Sequence, residues 1–152
     1  MQLGWRGLAA ALVMSGMALA GCNSGNPMAP ERNDAPAGGT GGMIVGPTWR
    51  LVSIDGQPPI EGTTLTAIFS EDARVAGSAG CNRYFGRANA VTGRMLVGPL
   101  GSTLMACEAS GVMTQEQRFL ELLQASSSYS VIGDELRLGP SGNTVTLVFM
   151  AQ

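Results

Sequence analysis

The stretch Gly77–Gly86, GSAGCNRYFG, holds the cysteine whose use decides how the folded part of this chain is built. Small residues precede Cys81, and the polar residues Asn82 and Arg83 follow it. A cysteine in this setting can be a nucleophile, a metal ligand or one half of a disulfide bond. The rest of the sequence helps to choose among these three uses.

The residue inventory argues against catalysis. The chain of 152 residues has no histidine, and all nine of its Lys and Arg positions are arginine. Histidine is the usual activating base for a cysteine and the commonest metal ligand, and lysine is the residue that forms Schiff bases. The acidic pairs Glu71-Asp72 and Asp134-Glu135 fall at predicted turns, where we expect solvated loop residues. The sequence therefore predicts a protein that is not an enzyme and that needs neither cofactor nor metal.

Charge gives no case for a nucleic-acid partner. The net charge is −2, and charged residues make up 13% of the chain. Binding to phosphate backbones requires clustered cations. The arginines are scattered along the sequence, which predicts solvated faces rather than a basic patch.

The first 21 residues have the pattern of a bacterial lipoprotein signal peptide. Arg6 precedes an apolar run, Leu8–Ala20, that is shorter than the 20 or so residues of a membrane span. The run ends in Leu19-Ala20-Gly21-Cys22, which resembles the lipobox at every position. The small residues Ala20 and Gly21 give a peptidase access to the backbone. The alternative is an ordinary secretory signal with a chance cysteine.

By resemblance to that class, cleavage is predicted between Gly21 and Cys22. Cys22 is then predicted to be acylated, and labelled palmitate would detect the acyl chains. One acyl chain binds a membrane only marginally, whereas two or more hold firmly. Asn23 in place of aspartate favours the outer membrane under the enterobacterial sorting rule. We expect a lipid-anchored protein that faces the periplasm.

Residues 22–46 predict a flexible tether behind the acylated cysteine. From residue 23 onward the segment is rich in Gly, Pro, Asn and Ala and has no periodicity, so it cannot bury enough apolar area to order itself. As a flexible coil it spans roughly 25–30 Å. Disorder is therefore expected throughout this segment except at Met43-Ile44-Val45.

From Pro47 onward, short alternating segments separated by turn residues predict a mainly β domain. Turn signals include Asp55-Gly56, Thr92-Gly93 and Gly133-Asp134. The predicted strands are Thr48–Ile54, Leu65–Phe69, Arg74–Ser78, Tyr84–Asn89, Arg94–Val97, Tyr129–Ile132, Glu135–Leu138 and Thr144–Phe149, with a further extended piece at Ser102–Cys107.

One helix is predicted, with Thr114-Gln115-Glu116-Gln117 as a capping box at its start. Behind it, Phe119, Leu122 and Leu123 fall on one apolar face. The expected fold is β-rich α+β, a strongly curved antiparallel sheet or small open barrel of seven to eight strands with the helix covering one side.

Two cysteines remain once Cys22 is assigned to lipid. Cys81 and Cys107 would both face an oxidising compartment, and two thiolates without histidine make a poor zinc site. A disulfide between them is favoured, because it would close a loop of about 25 residues and add about 3 kcal/mol to the free energy of unfolding. Two buried free thiols remain the alternative.

Three segments resemble the META domain of HslJ-like bacterial lipoproteins: SAGCNRYFGR from residue 78, LGSTLMACEA from residue 100 and EQRFLELL from residue 116. The resemblance covers residues 47–152. It implies a small antiparallel β-structure with one helix, a location in the envelope and, in some members, a link to stress. The motif residues that match are Gly80, Cys81, Asn82, Met105 and Cys107.

We interpret these motif residues as structural, with Gly80 and Asn82 at a bend and Met105 filling the core. The resemblance implies no catalytic residues. The family usually has arginine where this chain has Leu104, so any contact made by that arginine is in doubt here.

The leading hypothesis is a non-catalytic envelope lipoprotein that supports envelope integrity or stress tolerance, or that meets an envelope protein partner. The second is a barrel that binds a small apolar ligand in its mouth. The third is a carboxylate-dependent hydrolase of envelope glycan, which would need two converging acids.

Overall fold

Eight antiparallel strands and one helix make up residues 44–152, the part of the chain that the structure, a computed structural model, describes. Every strand pairs with its neighbour in sequence, and β1 also pairs with β8, so the sheet closes into a barrel. The predicted strand number, antiparallel pairing and single helix are confirmed, and the barrel is closed rather than open. The elements are β1 Thr48–Ile54, β2 Thr66–Ser70, β3 Arg74–Ser78, β4 Arg83–Val91, β5 Arg94–Ser102, α1 Val112–Ala125, β6 Ser128–Ile132, β7 Glu135–Gly139 and β8 Leu147–Ala151.

Tight turns set the path of the chain between strands. Thr92 and Gly93 join β4 to β5 with φ of 46° and 77°, and Asp55 and Gly56 follow β1 with φ of 49° and 79°. Two successive residues with positive φ match the right-handed twist of the flanking strands. Both of these turns were predicted from the sequence.

The interior of the barrel is filled by aromatic and aliphatic side chains. The Trp49, Tyr84, Phe119 and Phe149 side chains are fully buried within one continuous core. The Phe119 ring makes edge-to-face contacts with Tyr84, at a centroid distance of 5.5 Å, and with Phe149, at 6.3 Å. The helix therefore contributes the ring that joins opposite walls of the barrel.

Two buried polar groups in this core have backbone partners. Trp49 Nε1 donates to the Ile44 carbonyl oxygen at 2.7 Å, and Tyr84 Oη donates to the Thr66 carbonyl oxygen at 2.9 Å. Burial raises the pKa of the Tyr84 phenol above its ordinary value. The hydroxyl therefore remains a hydrogen-bond donor.

The core includes Ile44, the first residue that the structure describes, which lies before the predicted domain boundary at residue 47. Ile44 is buried, and Val45 forms a parallel bridge with Phe69 of β2. Ile44 and Val45 are thus ordered parts of the fold, as the predicted exception allowed. The earlier part of the predicted tether lies outside the described residues.

Helix α1 does not begin with the predicted capping box. It starts at Val112, and Gly111 is its N-cap with φ of 81° and no side-chain cap. Thr114 is already inside the first turn, and the Gln117 amide donates to Glu121 at 3.0 Å instead of reaching back. The predicted apolar face is confirmed, because Phe119, Leu122 and Leu123 are all buried.

One junction in the barrel wall has few backbone contacts. Strands β5 and β6 share a single residue pair, Arg94 with Ser128, flanked by the hydrogen bonds from Met95 N to Ser127 O and from Tyr129 N to Gly93 O. The β1–β8 junction, in contrast, has five residue pairs. Helix α1 packs against β5, one of the two strands of this junction, and against β7 and β8.

Candidate functional site

The GCN motif lies in the connection between β3 and β4. Gly80 has φ of 112°, a conformation that residues with a Cβ rarely adopt, and Ala79 N donates to Asn82 O at 2.8 Å to close the bend. The predicted role of Gly80 at a bend is confirmed. Asn82 is not among the residues with positive φ, so its contribution comes from its side chain.

The Asn82 side chain joins this connection to the segment that follows β5. Its Oδ1 accepts from the Thr103 hydroxyl and from the Met105 backbone N–H, both at 2.7 Å. Its Nδ2 donates to the Met105 carbonyl oxygen at 3.0 Å. The amide therefore binds Met105 as a neighbouring strand would, through both backbone groups.

Glu116 of α1 accepts hydrogen bonds from Asn82 and from the neighbouring Cys81. Its Oε2 accepts from Asn82 N at 2.7 Å and from Cys81 N at 3.3 Å, and its Oε1 accepts from Asn82 Nδ2 at 2.8 Å. The Glu116 residue is 5% exposed. A buried carboxylate needs such donors to offset the loss of its hydration.

A disulfide bond between Cys81 and Cys107 closes the outer side of the same cluster, with the two Cα atoms 6.1 Å apart. It links the β3–β4 connection to the segment that leads into α1. The favoured pairing is present, and the alternative of two free thiols is wrong. We call the set Cys81, Asn82, Met105, Cys107 and Glu116 the buckle.

The prediction that Met105 fills the core is wrong. Its side chain is 59% exposed, and only its backbone N–H and carbonyl take part in the buckle. The disulfide two residues later and the Asn82 amide hold the backbone of Met105 at the barrel surface. That position directs its side chain outward.

Two helix residues that anchor the connections, Gln115 and Glu116, are not among the site residues predicted from the sequence. Glu116 lies three residues before Phe119, on the buried face, so a carboxylate on an apolar stripe was the available signal. Gln115 beside it accepts from Ile60 N at 2.6 Å and donates to Thr63 Oγ1 at 3.1 Å. The two residues that were assigned to a capping box thus hold loops in place.

The carboxylate, the amide and the two sulfurs of the buckle all have partners within it. The Glu116 carboxylate and the Asn82 amide have hydrogen-bond partners at both of their polar atoms, and the two sulfurs are bonded to each other. No group of three or more potential metal-ligating residues occurs within residues 44–152. Chemically, the buckle crosslinks three segments of the fold, which are the β3–β4 connection, the segment after β5 and helix α1.

Two predicted sites, the cleavage point at Gly21 and the acylation site at Cys22, lie outside the described residues. Within residues 44–152, the one helix is neither long enough nor apolar enough to cross a membrane.

Removing the disulfide is expected to lower the free energy of unfolding by about 3 kcal/mol, because the crosslink restricts the unfolded chain. The double variant Cys81→Ser/Cys107→Ser tests this by urea denaturation. Reductant should destabilise the wild type to the same level and leave the double variant unchanged. Equal stability of the wild type with and without reductant would contradict the expectation.

The sequence that forms this fold matches a known protein family. The META domain family matches residues 43–152 of the chain. No curated protein matches it significantly.

Solved structures with a similar fold are below 25% identity and therefore speak to the fold alone. One from Burkholderia xenovorans, determined by NMR, is 24% identical, with a TM-score of 0.59, over 84% of this chain and 99% of its own. A second NMR structure is 22% identical, with a TM-score of 0.56, over 68% and 87%. The crystal structure of a duf4847 family protein from Bacteroides vulgatus is 17% identical, with a TM-score of 0.53, over 74% and 96%. From residue 43 to its last residue, the chain belongs to the META domain family.

Proposed function

We propose that this chain is a lipid-anchored protein of the bacterial outer membrane, facing the periplasm, whose META barrel supports envelope integrity and stress tolerance without catalysis. In this proposal the barrel acts by binding at its outer surface. The observation that carries it is the buckle. The most distinctive residues of the sequence, Cys81, Asn82 and Cys107, are fully engaged in holding the fold together.

The placement of the acidic pairs supports a role without catalysis. Asp72 is exposed and pairs with Arg74 at 3.1 Å, and Glu135 pairs with Arg137 two residues away. A glycan hydrolase needs two acids that converge across a cleft. Glu116, the buried carboxylate of the helix, is occupied by backbone and amide donors instead.

A ligand inside the barrel is the second candidate function, and the core geometry supports it less well. Phe119 stands between Tyr84 and Phe149 in the interior, and all three rings are buried. An apolar molecule would have to displace this ring cluster to enter. A partner that binds at the outer surface would not have to displace these rings.

The anchor is the part of the proposal that can be tested first. In cells fed with labelled palmitate, the wild-type chain is expected to incorporate label and to fractionate with membranes, because Cys22 carries the acyl chains. The Cys22→Ser variant should be unlabelled. A wild type that is as unlabelled as this variant would overturn the anchor.

The same strains test the role. Cells that lack the protein should admit more of a hydrophobic dye, and the wild-type gene should restore the barrier while Cys22→Ser does not. A variant without one acidic pair, Glu71→Gln/Asp72→Asn, is the matched control for catalysis and should restore the barrier fully. Failure of this control variant would favour a hydrolase.

A further inference from the structure

An apolar row crosses the outside of the barrel from β2 to β5. The cross-strand register pairs Ile68 with Ala76, Ala76 with Phe85, and Phe85 with Gly101. Residues directly opposite each other on adjacent strands project from the same side of a sheet. Ile68 and Phe85 are both exposed to solvent.

Phe85 is the centre of this row. Its side chain is 62% exposed, although one side of the ring lies against Gly101, where an added Cβ would come within 3.1 Å of the ring. Covering a glycine in the neighbouring strand explains that one contact. It does not explain an aromatic ring that otherwise faces water.

Arginines surround Phe85. Arg83 and Arg87 lie two residues to either side of it on β4, and Arg74 of β3 lies directly opposite Arg87. Arg74 pairs with Asp72, but within residues 44–152 no carboxylate lies within 4.0 Å of the Arg83 or Arg87 guanidinium. Like charges opposite each other on neighbouring strands are destabilising. An anionic partner would relieve that repulsion.

The same surface continues past the end of β5. Thr103 N donates to Arg83 O at 3.0 Å, which brings the following residues alongside Arg83. Leu104 is 96% exposed, and Met105 beside it is also exposed. A groove of about 390 Å³ lies between Phe85, Arg74 and Arg87. We call Ile68, Phe85, Arg83, Arg87 and Leu104 the Phe85 face.

The point where the chain enters the barrel is close to this face. Val45 forms its bridge with Phe69 of β2, the residue next to Ile68. The predicted tether between Cys22 and this point spans roughly 25–30 Å as a flexible coil. A barrel held at that distance meets the membrane surface at a high effective concentration.

We propose that the Phe85 face docks on the membrane surface, with Arg83 and Arg87 on anionic phospholipid headgroups and Phe85 and Leu104 among the upper acyl chains. Exposed apolar side chains flanked by cations are the pattern that binds such an interface. The tethering argument rests on the proposed lipid anchor. The face itself can be tested with or without that anchor.

Photo-crosslinking in intact cells tests the orientation with the full chain. Benzoylphenylalanine replaces Phe85 or, as the matched control, the exposed Met150 on β8, four strands from β4 in the barrel order. Cells are supplied with an alkyne-tagged phospholipid precursor. Crosslinks to phospholipid are expected from position 85 and not from position 150. Equal labelling, no lipid labelling at position 85, or crosslinks from it mainly to an acidic protein would overturn the proposal.

Vesicle binding tests the charges without the anchor. The chain from Asn23 onward contains every residue of the core cluster described for residues 44–152, so it is expected to fold without leader or lipid, and its circular dichroism checks this before binding is measured. It is expected to bind phosphatidylglycerol vesicles and not phosphatidylcholine vesicles. Arg83→Gln/Arg87→Gln should weaken this binding about 25-fold, at roughly fivefold for each arginine near an anionic surface.

Arg94→Gln/Arg137→Gln makes the same charge change on other strands and should leave binding nearly unchanged. Equal losses of vesicle binding in the two double variants would contradict docking through the Phe85 face. Palmitate labelling reports the anchor separately, so a labelled chain with no preference for position 85 would refute the docking alone. An unlabelled chain that still binds vesicles through Arg83 and Arg87 would refute the anchor alone.

Discussion

Glu116→Ala is expected to lower the free energy of unfolding by about 3–5 kcal/mol, since it leaves three N–H donors in or near the core without an acceptor, at about 1–3 kcal/mol for each fully buried one. The donors are Cys81 N, Asn82 N and Asn82 Nδ2. A loss of that size is a large part of the total stability of a small domain, about 5–15 kcal/mol. Urea denaturation of the purified protein with its disulfide intact measures it.

Glu121→Ala is the matched control, because Glu121 lies on the exposed side of the same helix, where its carboxylate accepts a hydrogen bond from Gln117 and pairs with Arg118. Its loss should be under about 0.5 kcal/mol, as for other surface ion pairs. Glu116→Gln should fall between the two, because its amide NH₂ would face another donor, Asn82 Nδ2. If Glu116→Ala proved as mild as Glu121→Ala, the buckle would not be a source of stability.

Phe119→Ala is the second large effect, a loss of about 3–5 kcal/mol that combines the transfer of a buried ring with the cavity left behind. Phe119 is fully buried, and its ring contacts both Tyr84 and Phe149. The near-ultraviolet circular dichroism of these aromatic residues should weaken at the same time, because their fixed edge-to-face packing is lost. Thermal and urea unfolding measure the stability change.

Met113→Ala serves as the control for Phe119, since Met113 is exposed on the same helix. It removes apolar atoms without opening an internal cavity, so its effect should stay within about 0.5 kcal/mol. Comparable losses for the two variants would show that α1 does not depend on its ring inside the barrel.

Local chemistry in the sequence predicts most of the secondary structure. Hairpin turns such as Thr92-Gly93 are set by two adjacent residues, and the stripe containing Phe119 is set by helical spacing. Closure of the sheet depends instead on pairing β1 with β8, at opposite ends of the folded chain. No local pattern encodes that contact, which is why the sequence predicts a strongly curved sheet or an open barrel rather than a closed one.

In the candidate site, too, some features can be predicted from the sequence and others depend on contacts between distant residues. The pairing of Cys81 with Cys107 is predictable from composition and from the predicted compartment, because few alternatives remain for two cysteines. The prediction for Met105 is wrong because its side-chain type suggests a core residue, whereas only its backbone groups bind in the buckle. Glu116 was misplaced because a local capping pattern surrounds it, and its true partners are more than thirty residues away in sequence.

The sparse junction between β5 and β6 makes the helix responsible for more than its own packing. With one residue pair and two flanking hydrogen bonds there, we expect the packing of α1 against β5, β7 and β8 to help hold the wall on that side. If α1 detached, the two strands could separate and expose unpaired edges, and unpaired strand edges are templates for aggregation between molecules. Damage to the helix would then appear as insoluble protein in the cell as well as a lower unfolding free energy.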